Sequence, residues 1–86
     1  MIVFTSRQKV HNKVSYKKYL LAPIENSFFL YELDPQTDKI ISQTKAEFEG
    51  FISLFDCFQY LKRYYRVVHH RILIAENPND ILGEFI

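Results

Sequence analysis

Along the second half of the chain the apolar positions fall at helical spacing. Phe48, Phe51, Ile52, Leu54, Phe55, Phe58, Leu61 and Tyr65, placed at about 100° per residue, gather into one arc about 180° wide. Thr44-Lys45-Ala46-Glu47 just ahead of them fits a capping box, in which hydroxyl and carboxylate satisfy each other's backbone amides. The spacing predicts one long α-helix over about residues 45–65, lying deep against a sheet. A second stripe, Ser53, Cys57, Tyr60 and Tyr64, recurs at steps of three and four on the opposite side of that helix.

The remaining segments read as strands. Residues 16–22 and 28–34 are rich in aromatic and aliphatic side chains, with 23–27 as a loop between them. Pairing Ala22 with Phe28 places Lys18 opposite Glu32, a favourable cross-strand pair. Asp34-Pro35-Gln36-Thr37 is a turn signal, and residues 39–43 return as a third strand. Residues 66–75 are β-rich, Ile2 to Thr5 form a short strand, and Asn77-Pro78-Asn79-Asp80 starts a short helical turn. The prediction is a single α+β domain over residues 1–86. It consists of a small, mainly antiparallel β-sheet with the long helix packed on one face. Alternation then sends Leu20, Leu30 and Ile41 to the far face, which is too apolar to stand bare.

Length and composition narrow the classes. With 86 residues, 48% of them hydrophobic, and five Gly and Pro together, the chain is globular and holds one modest core. Its single cysteine, Cys57, excludes an internal disulfide and points to a reducing, cytoplasmic setting. No apolar run reaches the roughly 20 residues of a membrane helix, so no membrane partner is expected. The net charge of +1 conceals blocks. Residues 1–22 carry five basic and no acidic side chains, residues 23–60 are acidic, and residues 61–71 are basic again.

Candidate chemistry is sparse. Two glycines cannot build a Walker loop or a dinucleotide fingerprint. His69 and His70 are adjacent and point to opposite faces of a strand, and no metal-ligand spacing occurs. Cys57 sits mid-helix, away from the end that would activate a thiol. No catalytic residue, metal or cofactor is therefore assigned, and the chain is expected to be non-enzymatic. The surplus of apolar side chains predicts a small regulatory or protein-interaction domain that binds itself as a homodimer and another protein. Leu20, Leu30, Cys57, Tyr60 and Tyr64 are its expected interface. The alternative is nucleic-acid binding. Arg7, Lys9, Lys13, Tyr16, Lys17, Lys62, Arg63 and Arg66 mix cations with aromatics, combining phosphate neutralisation with base stacking.

Overall fold

The computed structural model describes residues 1–25, 27–48 and 50–73, with the backbone alone at 43–48. It is an α+β domain built on a five-stranded antiparallel sheet with one short helix. The strands are β1 (Ile2–Val10), β2 (Lys13–Ile24), β3 (Ser27–Leu33), β4 (Ile40–Phe48) and β5 (Arg66–Ile72), and the helix α1 (Leu54–Leu61) precedes β5. Strand order is β4-β3-β2-β1-β5. The first four strands form a meander, and the chain then crosses by way of α1 to add β5 beside β1.

β1 and β2 are one long hairpin, in register from Ile2 opposite Leu21 to Val10 opposite Lys13. His11 and Asn12 join them with φ of 50° and 65°. Two successive left-handed residues are what a twist-matched two-residue turn requires, and Asn tolerates that conformation well. Sequence reading placed only residues 2–5 and 16–22 in these strands. The rest is hidden because the inward position after Phe4 is the polar Ser6, and from Lys9 both faces meet water, so the alternation that betrays a half-buried strand is lost.

The β2–β3 connection is residues 25 and 26, not the five-residue loop expected at 23–27. Glu25 enters it at φ 55°. Pro23 lies past the last β1–β2 pair, Ile2 with Leu21, where a missing N–H costs no rung on that side. The tighter turn moves the register by one residue. Lys18 faces Leu33 and Leu21 faces Leu30, correcting the expected pairing of Lys18 with Glu32. A one-residue slip exchanges the faces of a whole strand. Leu30 consequently packs on the helix side, whereas Leu20, Tyr31 and Leu33 pack on the other.

The long helix is also corrected. Residues 44–47, read as a capping box, belong to β4, and Gly50 adopts φ 83°, a left-handed conformation that interrupts a helix and that glycine adopts without steric cost. The actual N-cap is Ser53, whose hydroxyl accepts from the Asp56 amide at 3.2 Å. Phe48 and Phe51 continue the helical spacing of Phe55 and Phe58, but Phe48 ends a strand and Phe51 lies in the connection. The predicted turn at residues 77–82 lies outside the described residues. Among the described residues no helix is long and apolar enough to cross a membrane.

Both faces of the sheet carry core. On the helix side Phe4 is fully buried, with ring centroids 5.3 Å from Tyr19, 5.5 Å from Phe58 and 5.9 Å from Tyr65. Ile2, Leu21, Leu30, Cys57 and Leu61 close around it. A bulge in β5, opposite Thr5 and Ser6, turns Val67 onto the same cluster and leaves Val68 half in water. On the far side Met1, Val3, Leu20, Ala22 and Leu33 are buried together. The main chain of Met1 is tied to Leu73 in both directions, the ammonium donating at 2.9 Å and the Met1 carbonyl accepting at 2.8 Å.

Truncating a fully buried aromatic costs about 3–5 kcal/mol, against total stabilities of about 5–15 kcal/mol for domains in general. Phe4→Ala is therefore expected to lower the urea unfolding free energy by about 3–5 kcal/mol. Ser53→Ala, which removes one cap, should lower it by about 1 kcal/mol. Equal small effects from both would contradict this core.

Candidate functional site

The strands distribute the basic residues unequally. On the face opposite α1, antiparallel pairing aligns Tyr16 with Arg7 and Arg7 with Arg66. Lys9 follows two residues along β1 on the same side. Arg7, Lys9 and Arg66 line a recess of about 340 Å³. Like charges set directly opposite in a sheet are destabilising. Among the described residues no carboxylate comes within ion-pair distance of these three cations.

Nearer the core the cations are neutralised. Lys18 Nζ reaches Asp38 Oδ1 at 2.5 Å, and Arg71 approaches the other oxygen of that carboxylate at 3.5 Å. Lys17 lies 3.9 Å from Glu32, the acidic partner that sequence reading gave to Lys18. Asp38 is placed for this by the β3–β4 turn. There Asp34 Oδ1 accepts from the amides of Gln36 and Thr37, hydrogen bonds that hold the Asp34 carboxyl below its ordinary range.

The nucleic-acid set is thereby divided. Arg7, Lys9, Tyr16 and Arg66 share one sheet face, with the Tyr16 ring exposed. Lys13 and Lys17 alternate to the opposite face of β2, and Lys62 and Arg63 belong to the helix layer. Lys62 Nζ lies 4.9 Å from the centroid of the Phe58 ring, a cation–π contact within the helix layer. His11 and Asn12 form the hairpin tip. The repeat Lys9-Val10-His11-Asn12-Lys13-Val14 was the signal available, two matched strand dipeptides around a turn pair.

The expected protein interface is divided too. Leu20, Leu30 and Cys57 are 0% exposed: two are core residues on opposite faces of the sheet and the third lies on the core side of α1, so none offers surface. Tyr60 is half-buried and Tyr64 is 69% exposed. Phe51, Tyr60 and Tyr64 form a run of rings with centroid spacings of 5.2 and 5.1 Å, and hydrogen bonding with Tyr64 raises the Tyr60 phenol. Ile52 at 95% and Phe55 at 53% exposure are the other large apolar side chains exposed in this region.

Burial pushes the Cys57 thiol up to about 11, the reverse of what an activated nucleophile needs. His70 packs its ring 5.2 Å from Phe58. Among the described residues no three metal-ligating side chains cluster. No known family, curated protein or solved structure matches this chain.

The thiol makes a pH prediction. Its folded pKa lies above its ordinary value, so the native state holds the proton more tightly than the unfolded chain. That contribution is complete below about pH 9 and is lost as pH rises toward about 11. Stability should decline over this window, and Cys57→Ala should flatten the decline. The buried tyrosines Tyr19 and Tyr65 are raised by burial as well and leave a residual slope. At pH 8 native Cys57 should resist a thiol reagent until urea unfolds the chain. Rapid modification without unfolding would contradict its burial.

Proposed function

We propose that this chain is a small, non-enzymatic binding domain of the cytoplasm that takes nucleic acid on the basic end of its sheet. One observation carries the reading: Arg7 and Arg66 stand directly opposite each other with Lys9 beside them and, among the described residues, no neutralising carboxylate. An arrangement that costs stability when empty gains it when an anion fills the recess. Phosphate oxygens fit this geometry, because each guanidinium presents paired donors to them. Tyr16, paired across from Arg7, adds an exposed ring for stacking against a base or sugar. The neighbouring cations, Lys18 and Arg71, are committed to Asp38, which confines the free charge to the outer end. No cofactor or metal enters this function.

A protein partner, including a second copy of the chain, is the second reading. The exposure of Tyr64, Phe55 and Ile52 favours it, with Tyr60 at the edge of that surface. The buried Leu20, Leu30 and Cys57 take no part.

A fluorescent oligonucleotide titrated at two salt concentrations separates the readings. Binding should weaken steeply with salt, with a slope of about 0.7–0.9 per phosphate neutralised. Arg7→Gln with Arg66→Gln should reduce that slope by about two contacts. Salt-independent binding, or none, would reject the reading. Self-association in sedimentation that is lost in Phe55→Ser with Tyr64→Ser would favour the second.

A further inference from the structure

The hairpin runs on past the rest of the sheet. β5 flanks β1 only as far as Arg7, opposite Arg66. β3 flanks β2 only from Lys18, opposite Leu33. Gln8 to Val10 and Lys13 to Ser15 therefore pair with each other alone, and every residue from 9 to 17 is exposed. This is a two-stranded arm standing in solvent. A free-standing ribbon buries no core and is marginal by itself. This one is held in line by the strands that continue it into the sheet and by its left-handed turn at His11-Asn12.

Resting on the nucleic-acid reading, we infer that the arm enters the major groove of a B-form DNA duplex tip first, with the Arg7–Lys9–Arg66 recess seated on the phosphates at the groove edge. The dimensions agree. At about 3.3 Å per residue the three unflanked residues of each strand project roughly 10 Å, against a groove about 8.5 Å deep and about 12 Å wide. A single strand layer with side chains on both faces is about 10 Å thick. The minor groove, about 6 Å wide, is too narrow for it, and the deep, narrow major groove of duplex RNA is closed to it.

The charges agree as well. A ribbon standing in a groove has a phosphate wall on each side. Lys9 extends from one face of the arm and Lys13 from the other, because they occupy opposite alternation classes in the β1–β2 register. There is no acidic residue in the arm. The tip then meets the groove floor, where the Asn12 carboxamide has the donor and acceptor that an adenine edge offers a partner for.

The test compares a DNA duplex, its single strand and the corresponding RNA duplex with the intact protein, and adds dimethyl sulfate footprinting of the DNA complex. The DNA duplex should bind at least about tenfold more tightly than the RNA duplex. Guanine N7 in the major groove should be protected from methylation, with adenine N3 in the minor groove still reactive. Lys9→Gln with Lys13→Gln should weaken DNA binding about tenfold or more at low salt. Asn12→Gly, which keeps the left-handed turn and removes only the carboxamide, should diminish any sequence preference. Salt-dependent binding with unprotected guanine N7, or with equal affinity for RNA duplex or single strand, overturns the arm's role while the recess stays an anion site. No binding to any of the three overturns both.

Discussion

The structure depends on one continuous antiparallel ladder, β1 with β2, which runs from Ile2 opposite Leu21 to Val10 opposite Lys13. Its first half is the centre of the molecule. Phe4 and Tyr19 stack within an aromatic cluster under α1, and Val3 and Leu20 are buried on the reverse side. Its second half has water on both faces. Backbone hydrogen bonding carries the strand geometry across this boundary without any change in register, so the buried half fixes where the wet half points. Side-chain burial drives the first half and ladder continuity maintains the second.

The charge pattern follows the same boundary. Among the described residues, cations close to the core are paired with Asp38 and Glu32, and cations further out are not. Pairing near a core lowers the cost of partial burial, whereas exposed outer cations remain hydrated and available. Opposing Arg7 to Arg66 is the one arrangement here that a purely structural account leaves without a benefit. The binding reading supplies one, since an anion between two guanidinium groups turns repulsion into shared attraction.

Much of the fold was legible in the sequence, for identifiable reasons. The α+β class, the antiparallel sheet, the Asp34 turn and the strand around Val67 to Ile72 follow from β-branched and aromatic runs broken by turn residues. The helix is shorter than its apolar spacing implies because strand and helix residues share that spacing, and Gly50 at φ 83° breaks it. The register of β3 turned on a single loop residue, and with it the face of Leu30. Surface and core also exchanged places: Leu20 and Cys57, expected at an interface, are buried inside the chain, because the sheet is packed on both faces. The basic site was legible as a set of residues but not as a place. Which cations share a face depends on register and on the β5 bulge, and neither leaves a mark in composition.

The most direct measurement is amide chemical-shift mapping of the protein during addition of a short DNA duplex. The account predicts that shifts concentrate at residues 7–17 and at Arg66, while the buried rungs Ile2 to Phe4 and Tyr19 to Ala22 stay in place. Shifts confined to Ile52, Phe55 and Tyr64, or no shifts at all, would contradict it.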